Sequence, residues 1–347
     1  MRKNILSSCF IILAMNLAGQ DLHYSQFDAM VVTLNPASAG VHETDYRFSN
    51  DYKLQWASVA TPFQTYAISF DMPLFKKEGR NHFIGVGGNF VKDIAGKSKL
   101  NTTLYNFILS AHQKLNDKNY ISVGLQGGYA SRKANLANLR WDEQWNGEIY
   151  DPGLSSGETN LNNNVKTSYK DFAAGALWHF VPGELVKAKT GISYYHLNRP
   201  DKSFNSKEEN LYPKLVINSV ISFKLPQANK LDRYLQPQVI FMRQGPHQEV
   251  YLGSFIKYVI QEPSRYTDYR SQAIVSFGGF YRLSDAAVFA TRIDYGPITL
   301  GISYDINVSQ LRKASALDGG VEFTLIYANF FQTSKIKMED RLILPQL

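Results

Sequence analysis

The chain has 347 residues, with 37 Lys and Arg against 30 Asp and Glu for a formal net charge of +7. No basic cluster with interleaved aromatics stands out in it, so the charge does not indicate nucleic-acid binding. Aromatics make up 13% and the mean hydropathy is −0.26, so apolar lipid-facing surface must be diluted by polar residues facing a lumen or loops, the balance of a porin-like barrel.

The N-terminus reads as a secretory leader over 1–19. Arg2 and Lys3 precede the apolar run from Ile5 to Leu17, and Ala18-Gly19-Gln20 supplies small residues at the cleavage point, so the mature chain is expected to begin near Gln20. The run is too short for a stop-transfer helix, and no later segment reaches the roughly 18 consecutive apolar residues of a spanning helix. Leu6-Ser7-Ser8-Cys9 has the outline of a lipoprotein box, but the main apolar stretch follows Cys9 instead of preceding it. Loss of the leader removes Cys9, the single cysteine, and with it any disulfide, thiolate nucleophile or cysteine-ligated metal.

Residues 20–44 come next. Tyr24-Ser25-Gln26-Phe27 and Leu34-Asn35-Pro36-Ala37-Ser38-Ala39-Gly40 are too broken by Pro36 and small residues for a spanning strand, and a segment of this kind can fold into a barrel lumen as a plug. From 45 to 331 about fourteen strands are expected by period-2 alternation. Their approximate centres are Tyr52, Ile68, Val86, Phe107, Val123, Ala176, Ile192, Val220, Val239, Phe255, Phe277, Phe289, Ile302 and Phe323. The clearest runs Ile298 to Asn307: Ile298, Leu300, Ile302, Tyr304 and Ile306 share one face, and Thr299, Gly301, Ser303, Asp305 and Asn307 the other. In the fifth strand Ile121, Val123, Leu125 and Tyr129 alternate with Ser122, Gly124, Gln126 and Gly128, and the first set is expected to meet lipid. Lys224 in the eighth then faces inward, since a cation on the lipid side costs about 2 to 4 kcal/mol at mid-membrane. Tyr194, Tyr195, Tyr212, Tyr258 and Tyr295 suit interfacial girdles. The fold class expected is therefore all-β, a transmembrane antiparallel β-barrel of about fourteen strands.

Lys77-Glu78-Gly79-Arg80, Asn116-Asp117-Lys118-Asn119 and Leu283-Ser284-Asp285 read as short turns of one rim. A long insert is expected over 132–168, where Trp141, Trp145 and Tyr150 stand in a polar loop and are the expected partner-binding residues. The tail, 332–347, mixes Lys335, Lys337 and Arg341 with Leu342, Ile343 and Leu344. In the barrel register Asp305 and Asn307 point to the lumen and are placed to hydrogen-bond Gln26 or Asn35 of a plug, or simply to be hydrated there.

Catalytic readings find little support. The seven histidines include no pair at i, i+4, and Gly85-Val86-Gly87-Gly88 sits in a strand pattern without a following helix to bind phosphate. No catalytic residue, metal or cofactor is expected. A soluble β-sandwich would alternate too, but lacks a reason for so many strands. A channel or solute transporter with an N-terminal plug stays open as an alternative function.

A family resemblance runs through the mature chain. Gln20-Asp21-Leu22-His23-Tyr24-Ser25-Gln26-Phe27 and Leu34-Asn35-Pro36-Ala37 resemble the mature N-terminus of the PorP/SprF family of the Bacteroidetes type IX secretion system. Tyr52-Lys53-Leu54-Gln55-Trp56 with Thr61-Pro62-Phe63-Gln64-Thr65-Tyr66, Leu139-Arg140-Trp141-Asp142-Glu143-Gln144 with Asp151-Pro152-Gly153-Leu154, and Gly301-Ile302-Ser303-Tyr304-Asp305-Ile306-Asn307 with Leu311-Arg312 and Gly319-Gly320-Val321-Glu322-Phe323 are similar to its later blocks, in order. Leu22 stands where many members have proline, and Leu344-Pro345-Gln346-Leu347 ends the chain where many have a cysteine-containing sequence. The resemblance implies a non-enzymatic outer-membrane accessory of protein secretion and gliding-type adhesion. Its implied partners are large cargo proteins with a type IX C-terminal sorting domain, lipoproteins of the secretion motor and the lipid bilayer, with no nucleic acid.

Overall fold

The computed structural model describes residues 21–57, 61–76, 81–136, 139–157, 164–204, 208–228, 231–262, 271–309 and 318–330. The leader (1–19) and the tail (332–347) lie outside the described residues.

Fourteen antiparallel strands close into one barrel, each paired with its neighbours in sequence and β1 with β14. They are β1 (Tyr46–Gln55), β2 (Phe63–Leu74), β3 (His82–Ala95), β4 (Leu100–Asn116), β5 (Asn119–Asn135), β6 (Asn164–Phe180) and β7 (Val186–Tyr195) in the first half. The second half holds β8 (Lys214–Ala228), β9 (Leu231–Gln244), β10 (His247–Gln261), β11 (Ala273–Arg282), β12 (Ala286–Tyr295), β13 (Ile298–Asn307) and β14 (Asp318–Asn329). Every strand centre expected from alternation falls inside its strand.

The alternation sets the faces. On β13 Leu300, Ile302 and Tyr304 are exposed on the outer wall, while Gly301, Ser303, Asp305 and Asn307 are buried inside. On β5 Ile121, Val123 and Leu125 are exposed, and Ser122, Gly124 and Gln126 buried. A one-residue slip would turn every apolar set into the lumen, so the pleat and the bilayer together fix the register. Lys224 faces inward and is paired with Asp232 at 2.6 Å. Tyr194 is exposed on the outer wall, but Tyr195 is not a girdle residue: it is buried in the lumen with its hydroxyl donating to the Thr33 carbonyl at 2.9 Å. Two successive strand residues cannot share a face.

The rims differ. β1 starts and β14 ends on one rim, where most connections are short, such as 117–118 and 296–297. The opposite rim carries the long connections 136–163 and 196–213. Short turns face the periplasm and long loops the exterior in such barrels, which makes these the inner and outer rims. Leu283-Ser284-Asp285 joins β11 to β12 and so lies on the outer rim, opposite the Asn116 to Asn119 turn; strand parity, invisible to local turn chemistry, decides this. Lys77 to Arg80 lie outside the described residues. The loop insert is shorter than 132–168, because Asn135 pairs with Asn164 and the β5–β6 ladder runs without a break to that point. Its polar composition reads as loop, yet β5 and β6 each run 17 residues, longer than the roughly 9 to 11 that cross a bilayer.

Candidate functional site

Residues 21–44 run through the barrel from the outer rim to the inner one. At the outer end the Asp21 carboxylate lies 2.7 Å from His196 Nε2, just past β7, and 3.7 Å from Lys214 Nζ at the start of β8. At the inner end the Gly40 amide donates to Asp71 Oδ2 at 2.7 Å and Lys76 Nζ donates to the His42 carbonyl at 2.5 Å, after which β1 begins. A single helical turn, α1 (Val31–Leu34), and a 3₁₀ turn (Pro36–Ser38) lie between.

A buried ion network grips the outer half. Glu322 on β14 accepts from the backbone amides of Ser25 and Gln26, both at 2.7 Å. Asp305 accepts from the Ser25 hydroxyl at 2.8 Å and from Arg282 Nη2 at 3.2 Å. Lys53 on β1 stands 3.7 Å from Glu322 and 3.9 Å from Asp305, and Tyr251 donates to the Ser25 carbonyl at 2.6 Å. Arg292 on β12 donates from Nε to Gln26 Oε1 at 3.0 Å and from its terminal nitrogens to both oxygens of Asp28. Phe27 packs between these charges on Tyr251, 5.6 Å between ring centroids, in a cluster with Phe255, Phe280 and Val288. Placing this many charges inside is tolerable because each is opposed by a partner of the other sign and also hydrogen-bonded.

The inner half is held by shape. Asn35, with no solvent exposure, donates to the carbonyls of Ala176 and Ile192 at 3.0 and 3.3 Å and accepts from the Ala37 amide at 2.9 Å. The turn that follows lies against glycines in the wall. A Cβ at Gly124 would stand 2.4 Å from the backbone of Pro36 and Ala37, and one at Gly175 2.2 Å from Asn35 Oδ1. Gly85, on the glycine-rich strand that resembled a phosphate loop in composition, leaves room for the Ala39 carbonyl, which Ser110 and His112 both meet at 2.8 Å. Only a wall without side chains at these points admits a second layer of backbone.

The residues expected to meet in the lumen do so with other partners. Asp305 bonds Ser25 instead of Gln26 or Asn35, Gln26 bonds Arg292, Thr324 and Glu322, and Asn35 bonds strand carbonyls. Asn307 is buried on the inner face of β13 near Gly319. Pattern reading missed Lys53, Arg282, Arg292 and Glu322. Their signal was present: each is an ionisable residue at the inward phase of a strand.

On the outer rim the loop 139–157 is braced around Gln144. Its side chain accepts from the Trp141 amide at 3.2 Å and from the Tyr150 hydroxyl at 2.9 Å, and donates to the Leu154 carbonyl at 3.2 Å. The Arg140 guanidinium lies 4.7 Å over the Tyr150 ring. Trp141 and Tyr150 are thus bracing residues, half-buried in the loop, and Trp145, 58% exposed, projects with Ile149 and Leu154 into solvent.

His196 charges readily at this rim. Burial opposes the charge, but the Asp21 carboxylate beside it and the hydrogen bond to Asp171 outweigh burial and raise its pKa to about 9. Burial acts against the charge of Asp21 as well, and the nearby His196 and Lys214 nonetheless hold its carboxyl well below the usual range.

Residues 16–327 match the family described as Type IX secretion system membrane protein PorP/SprF. No curated protein matches the chain. Among solved structures, the toluene transporter TbuX of Ralstonia pickettii is similar at 9% identity and a TM-score of 0.47, over 87% of this chain and 94% of that one. The translocator domain of the autotransporter NalP from Neisseria meningitidis is similar at 12% identity and a TM-score of 0.42, over 88% and 95%.

Proposed function

The chain belongs to the PorP/SprF family of type IX secretion system membrane proteins, and from that premise we propose that it supports export or cell-surface attachment, or both, of large cargo proteins bearing C-terminal sorting domains. It is an outer-membrane component of that system: the family match spans nearly the whole barrel, and the barrel has a lipid-facing wall and two unlike rims. Cargo is met at the outer rim, on the apolar tip formed by Trp145, Ile149 and Leu154. Lipoproteins of the secretion motor are met at the inner rim.

The observation that carries this reading beyond the family match is the filled lumen. Ser25, Gln26, Phe27, Met30, Val32, Asn35 and Ala37 are buried along the barrel axis and bonded to its wall, which suits a rigid docking body more than a conduit. In the same reading, residues 21–44 act as a resident plug.

The test is deletion of the gene, with mass spectrometry of the proteins on the cell surface, in the medium and in the periplasm. Loss of one large sorting-domain protein from the surface is the expected result, and its appearance in the medium assigns the attachment step. An unchanged set of exported proteins overturns the proposal and returns the barrel to the solute-transport alternative.

A further inference from the structure

Most lumen charges near the inner rim are paired, Arg47 with Asp71 at 2.9 Å and Lys224 with Asp232 at 2.6 Å. Lys189 on β7 and Lys257 on β10 break that rule. Both face the lumen, and neither has a hydrogen bond or an ion pair within 4.0 Å among the described residues. The charges of Arg47, Lys257 and Lys187 all act on Lys189. Of the carboxylates that act on Lys257 without reaching ion-pair distance, Asp28 is engaged by Arg292 and Asp294 accepts from the Thr299 hydroxyl, and Glu43 acts on Lys189.

Two uncharged groups beside these lysines are also unsatisfied. His179 on β6 sits directly across the ladder from Lys189; it is 2% exposed, and neither ring nitrogen has a partner. Ser276 on β11 sits across from Lys257, buried, with its hydroxyl unbonded. A buried polar group without a partner is costly, and like charges sharing a low-dielectric space raise that cost. Ammonium groups, a hydroxyl and an imidazole that can donate have one shared deficit, an acceptor. The group that removes it is an anion.

We propose that the inner half of the lumen is a binding site for an acidic segment of a periplasmic protein, its carboxylates taken by Lys189 and Lys257 with His179 and Ser276 as hydrogen-bond donors. Access is from the periplasm, because the bonded residues 25–28 close the outer half, whereas in the inner half the turn Pro36–Ser38 lies against β4, β5 and β6 and away from β10, and Lys187 and Lys189 lie close to the inner start of β7. The two unpaired cations sit on β7 and β10, and charges spread in this way match carboxylates carried along a chain better than one compact ion. The proposal rests on the secretion reading only in making the occupant a partner from that machinery.

The test uses the purified full chain in detergent, with hexaglutamate as probe and hexaglutamine and inorganic phosphate for comparison, read by calorimetry. Hexaglutamate is expected to bind, hexaglutamine not to, and K189Q/K257Q to weaken hexaglutamate at least tenfold while the barrel keeps its heat-modifiable gel mobility. H179F alone, which leaves both ammonium groups in place, is expected to weaken it severalfold. Hexaglutamate binding that is absent, or equal in wild type and K189Q/K257Q, overturns the site. Phosphate binding as tightly as hexaglutamate overturns the acidic segment as occupant. Binding seen only after removal of residues 332–347 assigns the site to the chain's own tail and overturns the partner. Failure in any of these leaves cargo export by the wild type untouched, and so is separable from failure of the secretion reading.

Discussion

Asp28 and Arg292 stand 264 residues apart in the chain and meet in the lumen as a two-pronged ion pair, with Nη1 2.6 Å from Oδ2. Removing one partner leaves a buried charge without compensation, a loss of about 3–5 kcal/mol. R292A is expected to loosen residues 21–34, read as faster hydrogen exchange there and as lower stability of the folded band on heating. D28N/R292Q is expected to lose less, since neither charge is then stranded. Planar-bilayer recordings are expected to show larger conductance for R292A than for the wild type.

The glycine cradle gives a steric prediction. At Gly124 any Cβ stands 2.4 Å from the Pro36 and Ala37 backbone, which cannot rotate away. G124V is expected to destabilise by about 1–3 kcal/mol through overpacking. The barrel still assembles, and limited proteolysis detects new cleavage near residues 35–39.

The outer anchor depends on pH. The His196 pKa is about 9 in the folded chain against an ordinary 6.5, so its contribution is complete below 6.5 and is lost as pH rises through 9. The upper limit of that contribution is about 3 kcal/mol at the usual 1.36 kcal/mol per unit. Asp21 has the opposite sign, its contribution being present above the ordinary carboxylate pKa and lost only in strong acid. Hydrogen-exchange protection at residues 21–25, taken relative to the base-catalysed intrinsic rate, is expected to fall between pH 7 and pH 10, and H196Q to flatten that fall.

Trp145 is 58% exposed, and its indole makes no hydrogen bond among the described residues. W145A with I149S is expected to change barrel stability by no more than about 0.5 kcal/mol. Surface-attached cargo, measured by shaving intact cells, is expected to fall severalfold. Q144A, which unbraces the loop, is expected to lower it too.

Leu125 and Gln126 are neighbours on opposite sides of the wall, the first 64% exposed to the membrane and the second 6% exposed in the lumen. L125R is expected to destabilise by about 2–4 kcal/mol in liposome-based unfolding. Q126N, on the wet face, is expected to lose much less.

Much of this was legible in the sequence for a physical reason: a wall with lipid on one side and a filled lumen on the other imposes period 2 on every strand, as from Ile298 to Asn307. Pattern breakers placed the segment before Tyr46 outside the wall as well. The partners within the lumen were not legible. Ser25 and Asp305, or Asn35 and Ala176, are joined by closure of the barrel, and no local period encodes which inward residue a second layer of chain will face. Tyr195 shows the same limit, since only strand phase separates it from Tyr194. The loop was read by composition, which marked its aromatics but could not tell the bracing Tyr150 from the projecting Trp145.

The path of residues 21–44 carries a consequence for biogenesis. A chain that occupies the bore of its own cylinder from mouth to mouth cannot be pushed in once the seam between β1 and β14 has zipped shut. The earliest residues to be made must therefore be laid down first and the remaining wall wrapped over them, so that the last strand delivered is also the latch. The leading end of the described chain, at Asp21, finishes at the mouth that looks out of the cell.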